Sequence, residues 1–174
     1  MPNIEERIAK LTEALPPADE RLQQAIQSRR AGFAKAVPDV ERGAKVFEKH
    51  CAACHTIANR GAKVGPQLDG VGIRGLDRIL EDVLDPNRNV DAAFRSSVIA
   101  LKSGQIISGL VLSTDGDVLV VADDKGKEIR VPKSDVEEQK LSRVSPMPAN
   151  VLDLVPEPEF YDLVAFLLSQ REKP

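Results

Sequence analysis

Two cysteines and a histidine near the end of the first third of the chain carry the clearest chemistry. Residues 51–55 read Cys-Ala-Ala-Cys-His, and these are the only two cysteines present. In a helical turn, side chains three residues apart lie on one face, so both thiols can reach the two vinyl groups of one haem, and the histidine that follows is left under the iron. The spacing is the attachment signature of a c-type haem. We therefore predict one covalently attached haem c, joined by thioethers at Cys51 and Cys54, with His55 as an axial iron ligand.

Other uses of a Cys-x-x-Cys pair fit this chain less well. A tetrahedral zinc site takes about four ligands, but the chain has only two Cys and two His, and His50 stands directly beside Cys51. A thioredoxin-like pair should open a helix after a strand, whereas residues 39–50 have a helical pattern that leads into the motif.

The sixth iron position needs a second ligand, and one methionine suits it. Met147 is the only methionine apart from Met1, and it stands between Pro146 and Pro148. The prolines stiffen this loop and remove backbone donors, which suits a thioether held at a fixed point. A lone methionine can also be core filler. His50 is badly placed as a rival ligand because it adjoins the attachment turn. We predict Met147 as the second iron ligand.

Composition and charge limit the remaining classes. A chain of 174 residues is one domain, or one domain with appendages. Its net charge of −3 and the lack of a long basic run exclude a nucleic-acid binder. The longest apolar run is too short for an integral membrane segment. The first residues lack the basic start and apolar stretch of a signal peptide, whereas haem attachment in bacteria takes place outside the cytoplasm. We therefore expect the chain to be cut from a longer exported precursor.

The elements that position these residues divide the chain into three parts. Residues 1–38 have the pattern of a helical hairpin, with helices at 3–15 and from about Asp19 to Val37 around a Pro-Pro stop. The hairpin is expected to pack on its own domain, although its two amphipathic helices could instead form a homodimer. Helices predicted at 39–50, 76–84 and 158–171 define a core made of residues 39–93 and 142–174.

Residues 94–141 change to the period of strands. Short apolar runs alternate there with Ser-Gly, Asp-Gly and Lys-Gly turns, which is typical of antiparallel hairpins. A fifth strand near 136–141 could close a small barrel, and Gly109 indicates a bulge. This β insert lies between the haem motif and the methionine loop. Its sequence contains no cluster of His, Cys or carboxylate residues in a pattern typical of catalysis.

Five motifs occur in the order found in class I monohaem cytochromes c. They are Arg-Gly-Ala-Lys-Val-Phe at 42–47, the haem motif, Gly-Pro-Gln-Leu at 65–68, Ser-Pro-Met-Pro at 145–148 and Asp-Leu-Val-Ala-Phe-Leu at 162–167. The chain resembles that family over residues 40–93 and 142–171. The resemblance implies a mainly α cytochrome c fold, which the β insert makes α+β overall.

The same resemblance implies roles for individual residues. Gly43 and Phe47 should pack against the C-terminal helix near Leu163 and Phe166. The Pro66 carbonyl should accept a hydrogen bond from the His55 ring, which fixes the ring and strengthens it as a ligand. Phe47, Pro66 and Leu68 are accordingly predicted to line the cofactor site.

A narrower resemblance covers nearly the whole chain. Arg74-Gly75, the run Leu-Asp-Pro-Asn-Arg at 84–88 and the hairpins after Phe94 are similar to a haem-binding domain described in planctomycetes and verrucomicrobia, the Pirellula type. There the insert resembles a small SH3- or Sm-like barrel, and the domain ends large exported proteins with dehydrogenase-like propellers. The resemblance implies an excised domain in the periplasm or otherwise outside the cytoplasm, which receives electrons from a fused dehydrogenase domain or a redox partner protein.

The predicted ligands decide the predicted function. A six-coordinate His/Met haem has no open position for a substrate, so we predict one-electron transfer and no enzymatic activity. The alternative is a haem-based redox or gas sensor in which Met147 is displaceable. A peroxidase-like enzyme would need acid–base residues at an open distal site, and only His50 is available. The basic residues Lys49, Arg60, Lys63 and Arg74 near the motif could steer an acidic partner or be ordinary solvated charges.

Overall fold

The computed structural model describes residues 18–171, in which a β sheet lies in sequence between three helices that precede it and two that follow it. The helices are α1 (Ala18–Phe33), α2 (Val40–His50), α3 (Gly75–Leu84), α4 (Val151–Leu154) and α5 (Glu157–Ser169), with 3₁₀ turns at Val71–Arg74, Ala92–Phe94 and Lys133–Asp135. The strands are β1 (Ser97–Leu101), β2 (Ile106–Asp115), β3 (Val118–Ala122), β4 (Glu128–Pro132) and β5 (Val136–Leu141). In this part of the chain, no helix is both long and apolar enough to cross a membrane.

Helices α2 and α5 pack against each other and form the centre of the helical core. Helix α2 begins after Asp39, whose side chain accepts a hydrogen bond from the Arg42 backbone N–H at the helix start. A methyl group added at Gly43 would lie 2.0 Å from the carbonyl oxygen of Asp162 in α5. The rings of Phe47 and Phe166 lie 5.6 Å apart. The predicted contact of Gly43 and Phe47 with the C-terminal helix is therefore confirmed.

Helix α1 covers one side of this core. Leu22, Ile26 and Phe33 are half-buried against the buried residues of the other helices. Arg29 Nη1 also pairs with Glu157 Oε2 of α5 at 2.9 Å. The helix ends at Phe33, four residues before the predicted end near Val37. The helix predicted at 3–15 lies outside the described residues.

The β segment forms one antiparallel sheet in the order β4-β3-β2-β1-β5. Consecutive strands pair from β1 to β4, and β5 returns to pair with β1. The predicted antiparallel insert and its fifth strand are confirmed. The predicted closure of the insert into a barrel is not confirmed, because β4 and β5 are the two edges of the sheet and the sheet is open. Alternating side chains from Ile99, Ile107, Leu119, Val121 and Val131 form a separate apolar core for the sheet.

Gly109 has a different role from the one predicted. It stays in register opposite Ser97, and the irregularity of β2 lies between Val111 and Ser113. A side chain at position 109 would meet the Ala122 carbonyl oxygen at 2.2 Å, so glycine is needed because two backbones approach closely.

Candidate cofactor site

The attachment motif forms a tight turn directly after α2. The backbone N–H of Cys51 donates to Phe47 O at 2.8 Å, and that of His55 donates to Cys51 O at 2.9 Å. The turn thus continues the helical path of α2 and places both cysteines and the histidine within about one turn. Both cysteines are free thiols.

The ring of His55 is oriented by the loop that follows. Its Nδ1 atom lies 2.8 Å from the carbonyl oxygen of Pro66. Because a carbonyl can only accept, Nδ1 carries the proton and Nε2 keeps its lone pair for a metal. A side chain at Gly65 would lie 2.8 Å from Cε1 of the ring, so the Gly65 backbone forms a cradle against the imidazole.

The electrostatics of the turn argue against a thiol–disulfide redox pair. Burial, followed by the charge of Cys54, raises the pKa of the Cys51 thiol to about 12. The pKa of the Cys54 thiol is also raised, by burial and then by the carboxylates of Asp123 and Asp124. Redox-active cysteines have lowered pKa values because the thiolate is the nucleophile. Burial lowers the pKa of His55 against the effect of its bond to Pro66, which favours the neutral imidazole that binds metals.

The methionine loop is fixed by hydrogen bonds of its own. The backbone N–H of Met147 donates to Ser145 Oγ at 3.1 Å, and the N–H of Ser145 donates to Asn87 Oδ1 at 2.9 Å. Asn87 follows α3, so the loop is tied to the helical part of the chain. Met147 itself is half-buried.

The other predicted site residues fall into two environments. Phe47 is 3% exposed within the helical core, and Leu68 is half-buried against the same core. Pro66 is exposed and contributes its carbonyl oxygen to His55. The rival ligand His50 has a buried Nε2 atom with no hydrogen-bond partner among the described residues.

These residues fit a covalently attached haem better than a metal ion alone. Two free thiols, an imidazole with a free Nε2 and a glycine cradle against the ring are the donor set that a c-type haem needs. Between residues 18 and 171, no three His, Cys, Asp or Glu side chains are grouped to hold a metal ion. The zinc-site alternative therefore lacks its ligands in this part of the chain.

Comparison with known proteins leads to the same class. Residues 40–98, about a third of the chain, match the family model described as Cytochrome c. A cytochrome c from Ulva intestinalis is 50% identical over 40 residues, which cover 22% of this chain and 36% of that protein. Part of this chain, residues 40–98, is therefore similar to cytochrome c. The aligned segment spans only about a third of the relative's length.

Sequence reasoning missed an ionic clamp between α2 and α5. The Asp162 carboxylate, in a residue that is 3% exposed, accepts from Arg42 Nε at 2.8 Å and from Arg42 Nη2 at 3.1 Å. It also accepts from the backbone N–H of Asp39 at 2.6 Å. Asp162 is the one charged side chain on the buried face of α5, and a buried carboxylate needs a partner, so this signal was present in the sequence.

Proposed function

We propose that this chain is a c-type cytochrome domain that transfers single electrons through one haem, attached at Cys51 and Cys54 and ligated by His55 and Met147. The observation that carries the proposal is the orientation of His55. Its Nδ1–H is held by the Pro66 carbonyl at 2.8 Å, immediately after two free thiols with the spacing of haem attachment. The other ring nitrogen is left as the metal-binding atom.

When bound, the haem supplies one-electron iron chemistry, and the residues of the chain tune it. The Pro66 carbonyl holds the His55 ring in one tautomer and raises its basicity as a ligand. A methionine thioether at the sixth position raises the reduction potential relative to a second imidazole. Phe47 and Leu68, in or against the helical core, would give the haem apolar neighbours, which would disfavour the extra charge of the oxidised state. If His55 and Met147 both bound the iron, the haem would have no open ligand position for a substrate, so the proposed role is a carrier and not an enzyme.

The wider context is also a proposal. The chain is proposed to be a Pirellula-type domain from a larger exported dehydrogenase-like protein, working outside the cytoplasm with a fused dehydrogenase domain or a redox partner protein. The relation of the insert to an SH3- or Sm-like barrel is proposed from the family resemblance alone, since the sheet is open. The proposed parts of the chain are the hairpin of residues 1–38, the core of 39–93 and 142–174, and the insert of 94–141. Pairing of two chains through the N-terminal helices is the proposed route to a homodimer.

Visible spectroscopy of the haem-loaded protein tests the ligand assignment. Wild type, Met147→Ala and His50→Ala are compared in the oxidised and reduced states. We expect a weak charge-transfer band on the far-red side of the oxidised wild-type spectrum, because a methionine sulfur bound to ferric iron produces it. The band should disappear in Met147→Ala and persist in His50→Ala, which is the matched control for the other candidate ligand.

The outcomes separate the candidate functions. Loss of the band in Met147→Ala alone supports His/Met ligation and electron transfer. Loss in His50→Ala alone would assign the sixth position to the histidine. A wild-type spectrum without the band, together with carbon monoxide binding to the reduced protein, would contradict a closed distal site and favour the sensor with a displaceable Met147.

A further inference from the structure

The turn between β3 and β4, residues 123–127, lies directly on the haem-attachment turn. Gly126 at its tip has φ +76°, and a side chain there would lie 2.3 Å from the carbonyl oxygen of Ala53 and 3.3 Å from Sγ of Cys54. Glycine therefore serves two purposes at this position. It adopts the left-handed conformation of the turn, and it lets the backbone of the turn touch the attachment motif.

An apolar cluster next to this contact holds the sheet in place. Val64, from the loop after the motif, is buried together with Leu110 of β2 and Ala122 of β3. Cys54 packs against the same cluster. Cys51, in contrast, packs against the helical core. The two cysteines are thus covered by different parts of the molecule, Cys51 by the helices and Cys54 by the β sheet.

The β3–β4 turn is internally braced. Oδ1 of Asp123 accepts from the backbone N–H of Lys125 at 2.9 Å and from that of Lys127 at 2.8 Å. The N–H of Asp123 also donates to the carbonyl oxygen of Lys127 at 3.0 Å. Two side-chain acceptor bonds and a backbone bond close the turn, so it presents a defined surface to Cys54.

We propose that the β3–β4 turn is a fixed cover over the Cys54 side of the haem, which makes the β insert part of the electron-transfer surface. The inference rests on the proposed function, because it assigns the cover to a haem attached at Cys54. A partner protein that approaches from this side meets the exposed Asp124 and Lys125 before it meets the thioether. The insert thereby restricts which direction of approach brings a partner close to the haem.

Solvent accessibility of the Cys54 thioether tests the cover. Proton NMR of the reduced, haem-loaded protein is recorded with and without a neutral, soluble gadolinium chelate, which relaxes protons that solvent can reach. We compare wild type, Gly126→Ala and the matched control Gly116→Ala. Gly116 also has positive φ, at +58°, in the β2–β3 turn, but a side chain there would meet no atom of residues 18–171 within 4 Å. Both variants carry similar backbone strain, and only Gly126→Ala pushes against the attachment turn.

We expect relaxation of the Cys54 thioether protons to rise several-fold in Gly126→Ala and to stay at the wild-type value in Gly116→Ala. Equal relaxation in all three proteins, with haem attached, would overturn the cover and leave the cytochrome assignment intact. Absence of covalently bound haem from the wild type would instead refute the proposed function.

A second pair of variants avoids steric pressure in case Gly126→Ala does not fold. Asp123→Ala removes the acceptor that braces the turn, whereas Asp123→Asn retains an Oδ1 acceptor and removes only the charge. If the turn is a cover, Asp123→Ala should expose the thioether and Asp123→Asn should not. Equal protection in both variants would contradict the proposal.

Discussion

Replacing Gly43 by alanine tests how closely α2 and α5 must approach. The added carbon would lie 2.0 Å from the carbonyl oxygen of Asp162, 2.6 Å from its carbonyl carbon and 2.8 Å from Cβ of Phe166. Carbon contacts are optimal at about 3.5–4.0 Å, so α5 would have to move away by roughly 1.5 Å. Two of the three obstructing atoms belong to the backbone, which cannot rotate out of the way.

Two opposing terms set the size of the effect. Alanine stabilises a helix interior by about 1 kcal/mol relative to glycine. Overpacking of a tight contact costs typically about 1–3 kcal/mol, and obstruction by backbone places this site near the top of that range. The free energy of unfolding should therefore fall by about 2 kcal/mol, which lowers the melting temperature of a chain of this size by about 4–8 °C. Without the α5 contact, the same substitution would be stabilising.

Denaturant unfolding of the haem-loaded protein, followed by far-ultraviolet circular dichroism, measures this effect. Lys45 is exposed in the same helix, so the pair Lys45→Ala and Lys45→Gly gives the difference in helix propensity between the two residues without a packing term. Subtracting that difference isolates the steric cost at position 43. A Gly43→Ala variant as stable as wild type or more stable would refute the close approach of the two helices.

Two further predictions concern the clamp and the histidine cradle. The pKa of Asp162 is lowered by its hydrogen bond with Arg42, against the opposing effect of burial; its stabilisation is therefore complete above the unfolded pKa of about 3.9 and is lost as the pH falls through the lower folded value. Asp162→Asn should thus lose less stability than wild type between pH 5 and pH 3 in urea titrations, and equal losses would contradict the clamp. In Gly65→Ala, the new carbon would lie 2.8 Å from Cε1 of His55. The free energy of unfolding, followed by the haem absorbance, should therefore fall by about 1–3 kcal/mol, and the absorbance should change at a lower denaturant concentration than in wild type. An unchanged haem transition would show that the cradle is not tight.

Local patterns in the sequence predicted most of the elements. The helix predicted at 39–50 is observed at Val40–His50, and the fifth strand near 136–141 is observed at Val136–Leu141. These predictions succeed because apolar period, helix caps and hairpin turns are properties of neighbouring residues. The end of α1 was placed too late, at Val37. Gly32 stands one residue before the observed end and Pro38 one residue after the predicted end. The sequence thus contains two stop signals and does not select between them.

Barrel closure could not be read from the strands because it depends on how the sheet coils. The apolar alternation of β4 and β5 is the same whether these strands pair with each other or remain edges. Strand number and turn residues were therefore sufficient for the antiparallel sheet and insufficient for its closure.

The candidate site could be predicted only in part, because several of its contacts join segments that are far apart in the sequence. The chain contains 24 Lys and Arg and 27 Asp and Glu residues, so no pattern selects Arg42 as the partner of Asp162. What the sequence does offer is the position of Asp162 on an apolar helix face, where an unpaired carboxylate would be costly. Gly126 has no equivalent signal, because a glycine in a hairpin turn is already explained by the turn. Its contact with the attachment motif arises only when the sheet is placed on the helical core, and this placement is what joins the β insert to the proposed electron-transfer site.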